Sequence, residues 1–415
     1  MRGLVVIGLF VCIAGCNGPA GTPVSVASSP SAPVAVVSAR PTLSSPTPSN
    51  PPTDWTSLRW SAPAQTVPGA RISDVLTQGG TYIAVGQVQD ANGRTQAAAW
   101  VSTDWRSWTR TLLDVPRVGD STHHWVLRFG SGLIGVGSSG LQHCQPPPGE
   151  GQVCSPVPTA TWTSSDGTTW QPEPSAPTLA QASIAAVALG SGGIVLVGAT
   201  GWDAPGIWTS TDGRVWRREN LPSAVFAHAH FRGLADGPNG LILTGATGGA
   251  PPVCCAGSTG ATTPAAWTST DGQTWQAASV IGAQGSIGDG LSQVFIGGAG
   301  AIATGWNEDA PVWQSSDGRQ WSPLPGQNGI PVQPLASDGE RILGHSFLAP
   351  NGAAFWLSGD GAIWHPLTMA GQTDEMPGWS APGSSANDAY LYSGGVGLVG
   401  DNGSTSQPLW FAQGQ

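Results

Sequence analysis

The chain has no lysine, only three tyrosines and three methionines, and charged side chains make up just 10% of its 415 residues. All fifteen basic residues are therefore arginine, and the net charge of −10 disfavours nucleic acid and anionic lipid surfaces as partners. With so little charge, surface polarity falls to Ser, Thr, Gln, Asn and the backbone. Gly (60), Pro (36) and Trp (20) are abundant instead, a profile of short strands joined by many turns.

The only strong apolar run near the start is Leu4 to Ile13, preceded by Met1-Arg2. It is too short for a stable bilayer-spanning helix and suits the h-region of an export signal. It ends in Ile13-Ala14-Gly15-Cys16, which resembles the lipobox of bacterial lipoproteins. That resemblance implies a signal peptide over residues 1–15, lipidation of Cys16, and a mature protein anchored to the membrane, facing the exterior or periplasm. The rest of residues 16–53 is rich in Pro, Ser and Ala with almost no charge, so it cannot bury enough apolar area to fold. As an extended tether it reaches up to about 100 Å.

From residue 54 to 415 the chain repeats itself. One element recurs six times: WVSTDWRSW (100–108), WTSSDGTTW (162–170), WTSTDGRVW (208–216), WTSTDGQTW (267–275), WQSSDGRQW (313–321) and WLSGDGAIW (356–364). Each copy has the chemistry of a hairpin corner, with Asp accepting from turn amides and Gly free to take a positive φ. An apolar strand ending near Gly precedes each copy, as in TYIAVG (81–86) and GIVLVG (193–198), and a further strand precedes that. A seventh apolar strand, GVGLVG (395–400), is followed by Trp410 but by no return strand. The segment from Asp54 to Trp60 has a Trp and no repeat of its own. These regularities predict an all-β, seven-bladed β-propeller of four-stranded antiparallel blades, with the N-terminal strand closing the last blade.

The S-x-D-G-x-x-W element resembles the Asp-box, or bacterial neuraminidase repeat, and departs from it by lacking one residue between Asp and Gly. The resemblance implies that Asp166, Asp212, Asp271, Asp317 and Asp360 are structural and lie on the face opposite any ligand. It also raises sialidase activity, which needs an arginine triad and a Tyr–Glu nucleophile. The tyrosines are Tyr82, Tyr390 and Tyr392 only. Arginines such as Arg106, Arg214 and Arg319 fall on outer strands or turns, and the inner-strand column holds none, so sialidase activity is not expected.

That column lines the mouth of the central channel. It is expected to comprise Ser73 and Asp74, His124 and Trp125, Ala185 and Ala186, His230, Ser292 and Gln293, Val332 and Gln333, and Asn387 and Asp388. Trp202 and Trp306 follow glycines in loops on the same rim; they either offer aromatic faces to a ligand or pack their loops onto the blade. The candidate ligand-binding residues are thus Asp74, His124, Trp125, Trp202, His230, Gln293, Trp306, Gln333 and Asp388. Asp74 and Asp388 occupy the same row in neighbouring blades and are the catalytic pair of an alternative glycoside hydrolase reading. Cys144, Cys154, Cys254 and Cys255 are disulfide candidates in an exported protein, either as Cys144 with Cys154 and Cys254 with Cys255, or as cross-links between two blades. No Cys or His spacing suits a metal site, and the Trp-docking motif of quinone-dependent dehydrogenases is not matched, so no cofactor is expected. The favoured reading is a monomeric, surface-tethered binding or scaffold propeller whose partner is an envelope protein or a glycan.

Overall fold

A computed structural model of the chain describes residues 57–414, apart from 68–69, 90–93, 114–120, 141–143, 146–152, 155–156, 175, 202–203, 250–259, 284, 288, 307–310, 325–331, 347–354, 371–387, 393–394 and 400–406. The signal, Cys16 and the tether expected over residues 16–53 lie outside these. The chain from Asn50 onward is one compact unit. The fold is an all-β propeller of four-stranded antiparallel blades.

Six blades are each cut from one continuous stretch: residues 70–112, 121–172, 182–218, 229–277, 291–323 and 333–366. Blades four and five carry one extra two-residue edge strand each, Ser286–Ile287 and Ser279–Val280. The blades of the expected pattern therefore number six, not seven. The remaining strands form a composite five-stranded sheet from Thr368–Ala370, Ser57–Val67, Gln407–Gly414, Gly395–Val399 and Asp388–Tyr392, in that order across the sheet. Ser57–Val67 runs antiparallel to Gln407–Gly414, with Leu58 opposite Gly414, and takes Thr368–Ala370 in parallel on its other edge. The outer strands of this sheet thus come from distant parts of the chain. Its innermost strand, Asp388–Tyr392, lies against the inner strands of both the first and the sixth blade.

The apolar cores sit between blades rather than within them. Ile83, Val85, Ala97 and Ala99 of blade one meet Val126, Leu133, Trp162 and Trp170 of blade two. Val195, Val197 and Ile207 of blade three meet Leu241, Leu243, Trp267 and Trp275 of blade four in the same way. Both faces of a blade are thus apolar, which is why the second strands are nearly continuous runs of Ile, Leu and Val rather than alternating ones. Blades two to six each offer their third-strand Trp and their corner Trp to the preceding blade, whereas Trp100 and Trp108 of the first pack within their own blade.

The corners are built alike. In the third blade the Ser210 hydroxyl accepts from the Gly213 amide at 2.9 Å, and Asp212 Oδ1 accepts from the amides of Arg214 and Val215, both at 2.8 Å. Those two amides, Val215 first, hold the Asp212 carboxyl below its ordinary pKa. The same Ser and Asp bonds recur at Asp166, Asp271, Asp317 and Asp360. These carboxylates fold their own turns. Gly213 has φ +73°, and a Cβ there would collide with Ile134 of the preceding blade. Gly167 sits likewise on Ile83, Gly272 on Val195, Gly318 on Ile242 and Gly361 on Ile302.

The first blade inverts this seat. Trp105 stands where the other corners have Gly, at φ +61°, and is buried. The residue aligned with Ile134 on the adjoining strand is Gly397 of the composite sheet, where a Cβ would collide with the Trp105 ring. Large and small have exchanged places across this one seam. Tyr82 and Trp108 complete the cage around Trp105, with ring centroids 5.2 and 5.4 Å away.

Trp105→Gly is expected to lower the unfolding free energy by about 3 kcal/mol, because it empties a buried site. Adding Gly397→Ile rebuilds the arrangement of the other seams and is expected to recover at least half of that loss. Denaturant unfolding of both single variants and the double variant tests the exchange; a double variant no better than the sum of the singles would show that the two positions do not share a seam.

Candidate functional site

In every blade the turn between the first two strands and the Asp corner lie at one end. In blade four, for example, Gly237 pairs with Gly240, and Leu241 with Ser269. Toward the opposite end each inner strand is interrupted by a β-bulge. The bulge residues are Ser73, His124, Ala185, Arg232, Ser292 with Gln293, and Leu335. A bulge re-aims its side chain and disturbs the ladder. The partner strand carries Gly there: a Cβ at Gly86, Gly198 or Gly245 would collide with the carbonyl of Arg71, Ser183 or His230. The repeated Gly at the end of each apolar strand therefore marks the bulge.

Because the inner strands touch their neighbours in a closed cycle, the bulges together form the mouth of the ring. Asp74 follows the first bulge and is partly buried. Its Oδ1 accepts from the Val75 amide at 2.8 Å, and its Oδ2 from the Val126 amide of blade two at 2.9 Å. Burial pushes its pKa up from 3.8 to about 7, against the pull of those two amides. The carboxylate is turned to the second blade, on the other side of its strand from the composite sheet that carries Asp388. Asp388 pairs with Val399 through its backbone, and its side chain lies outside the described residues.

His124 and Trp125 are both partly buried, with rings 5.2 Å apart and tilted by 49°, and burial lowers the His124 pKa. His230 Nε2 lies 3.0 Å from the Gly248 carbonyl oxygen. It stands two residues before its bulge, which is occupied by Arg232, so the expectation of a mouth without arginine is overturned. Arg232 precedes Gly245 by the same interval as Ser73 precedes Gly86 and His124 precedes Gly137; that spacing was the signal for it. Gln293 is an exposed bulge residue, as expected. Gln333 is exposed but pairs with His345, two residues short of the bulge at Leu335, because the sixth blade has a shorter first hairpin.

Trp306 is not an open aromatic platform. Its amide donates to Gly290 O at 3.0 Å and its indole Nε1–H to Leu291 O at 2.8 Å. Its ring packs on the Gly290 backbone, where a Cβ would collide with it, and the Arg232 guanidinium lies over the ring, 5.0 Å from its centroid. Arg232 is exposed. Trp202, Cys254 and Cys255 lie outside the described residues. Cys144 and Cys154 stand opposite each other in a short antiparallel hairpin. Among the described residues no three His, Cys, Asp or Glu side chains gather as a metal site.

No family model matches the chain, and no curated protein matches it. Solved structures similar to it include a Mycobacterium tuberculosis puromycin-hydrolyzing peptidase, at 14% identity and a TM-score of 0.47 over 83% of this chain and 52% of that one. A GH43 endo-arabinanase from Bacillus licheniformis aligns at 11% identity and 0.33 over 72% of this chain and 96% of that one. A mutant Trypanosoma rangeli sialidase displaying trans-sialidase activity aligns at 13% and 0.35, over 86% and 54%. Likenesses this distant carry nothing about what the chain binds.

Unfolded, Asp74 titrates at its ordinary 3.8; folded, it titrates at about 7. Between those values the folded state holds the extra proton, so this residue makes stability fall as pH rises, by at most about 1.4 kcal/mol per pH unit. His345, lowered by burial from 6.5 to about 4, acts in the opposite sense over its own range. The difference between the unfolding free energies of the parent and Asp74→Asn isolates the first effect. That difference is expected to change steadily from pH 4.5 to 7 and then level off; a flat difference would refute the assignment.

Proposed function

We propose that this protein is a binding propeller of the bacterial cell envelope, held to the membrane by a lipid on Cys16 and presenting its bulge-lined mouth to a ligand. The observation that carries this reading is the division of labour at the mouth. Asp74 gives both oxygens to main-chain amides of two blades, and His230 faces a main-chain carbonyl, so these groups serve the frame. Arg232, by contrast, is exposed and fixed in place. A rigid, exposed group presented at a preformed mouth suits recognition.

Several finer readings accompany it. The composite sheet closes the ring between the sixth and first blades, supported by its inner strand lying against both. The corners belong to the Asp-box class in a shortened form, supported by their Ser and Asp hydrogen bonds. Cys144 and Cys154 form a disulfide, supported by their register in the hairpin and by export.

A second reading, a glycoside hydrolase, draws on one observation, the Asp74 carboxyl raised to about 7. Among the described residues Arg232 is the one arginine at a bulge, which does not make the triad a sialidase needs.

The full chain, applied to a glycan array and to envelope extracts, is expected to retain a ligand without cleaving it. Hydrolysis of an arrayed glycan that disappears in Asp74→Asn would replace the binding reading with the hydrolase. Cys16→Ser is expected to move the protein from the membrane fraction to the soluble one; an unchanged distribution would refute the anchor.

A further inference from the structure

The fourth and fifth blades meet at the mouth through their bulges. Gly233 allows this approach, since a Cβ there would stand 2.5 Å from the Ser292 carbonyl oxygen and 3.1 Å from the Val294 amide. The same seam is tied by the Thr244 hydroxyl donating to Ser292 O at 2.5 Å. Arg232 immediately precedes Gly233, and Gln293 lies between Ser292 and Val294. Two exposed side chains rich in N–H donors therefore start from neighbouring bulges, one from each blade.

Trp306 fixes the first of them. A free arginine on a surface samples many rotamers, and ordering it for a ligand costs entropy. Here the guanidinium rests on an indole that is itself held by two hydrogen bonds and by the Gly290 backbone. Stacking on an aromatic face leaves the in-plane N–H donors of an arginine open to a further partner. Among the described residues no acid forms an ion pair with Arg232.

We infer that Arg232, seated on Trp306 and flanked by Gln293, is a subsite for the carboxylate of an acidic sugar within an otherwise neutral oligosaccharide. The planar fork of arginine matches a carboxylate in two parallel N–H···O bonds, and the Gln293 amide adds a donor beside it. The overall charge of −10 repels densely charged polyanions, so a ligand with isolated carboxylates is favoured. Neutral polar groups on the mouth, Gln293 and the bulge residue Ser73 among them, suit hydroxyls rather than further charges. This rests on the binding reading above and adds the class of ligand.

The test uses the full chain, a xylo-oligosaccharide bearing a single glucuronate, and the same oligosaccharide with the carboxyl reduced to the alcohol. Isothermal titration is expected to show at least tenfold tighter binding of the acid form. Arg232→Lys keeps the charge and loses the fork, and Arg232→Gln loses both; each is expected to remove that preference while thermal unfolding stays unchanged, since the side chain is exposed. Trp306→Leu is expected to weaken the acid form alone, by releasing the guanidinium. Equal binding of both forms would overturn the carboxylate subsite and leave the binding reading intact. Binding of neither form, or of an acidic peptide in their place, would overturn the acidic-sugar assignment. Cleavage of the oligosaccharide would overturn the binding reading itself.

Discussion

The ring depends on one steric fit: a positive-φ residue at each Asp corner seated on the second strand of the preceding blade. At five seams a glycine receives an Ile or Val side chain, and no Cβ could be added without displacing it. The Ser and Asp bonds of the corner exist to hold that glycine in the left-handed region. A buried amide left without its Ser acceptor costs about 1–3 kcal/mol, so the hydrogen bonds and the packing are one device. The corner Asp carboxylates are spent on architecture, even though Ser, Asp and neighbouring polar groups are the residue types that catalysis uses.

The sixth such contact runs the other way, and its location explains why. The seams between blades join consecutive repeats, whereas Trp105 meets Gly397, a residue from nearly the far end of the chain. A Trp inserted into a glycine-lined strand is complementary only to that strand and would overpack against an Ile or Val. The inverted pair thus distinguishes this seam from the five that seat a glycine, and the composite sheet cannot exchange places with a regular blade without both a cavity and a clash.

Much of this was legible in the sequence because the blade corner is a local structure. Trp, Ser, Asp and Gly at fixed spacing give the third strand, the turn and the outer strand without reference to anything remote, and Asp212 and its counterparts fall where the spacing puts them. Two things were not legible. The blade count is six rather than seven, although Ser57–Val67 does pair with the C-terminal strand as its lone Trp segment suggests; what leaves no local pattern is the parallel strand Thr368–Ala370, which joins this sheet from beyond the sixth blade. The mouth differs from the expected column in two blades, each by two residues, because hairpin length and the place of a bulge are set by pairing that the sequence does not display. His230 and Gln333 were placed in the column, while the bulges fall at Arg232 and Leu335. The sequence leaves Trp306 open between a ligand platform and a residue that packs its loop, because it cannot show that Gly290 and Arg232 occupy its ring.

Bulge, glycine and mouth form a second coupled device at the opposite end of each blade. The bulge turns one side chain per blade out of the ladder, and the facing glycine makes room for the displaced carbonyl. The identity of the bulge residue is then free of the packing rules that fix the rest of the blade, and Ser73, His124, Ala185, Arg232, Gln293 and Leu335 share no chemistry. Variation is confined to positions where the frame does not need a particular side chain. Asp74 shows the limit of that freedom, since it lies one residue past its bulge and is drawn into bridging two blades. A residue at the bulge can serve a ligand, whereas a residue beside it serves the ring, and Arg232 stands on the first side of that line.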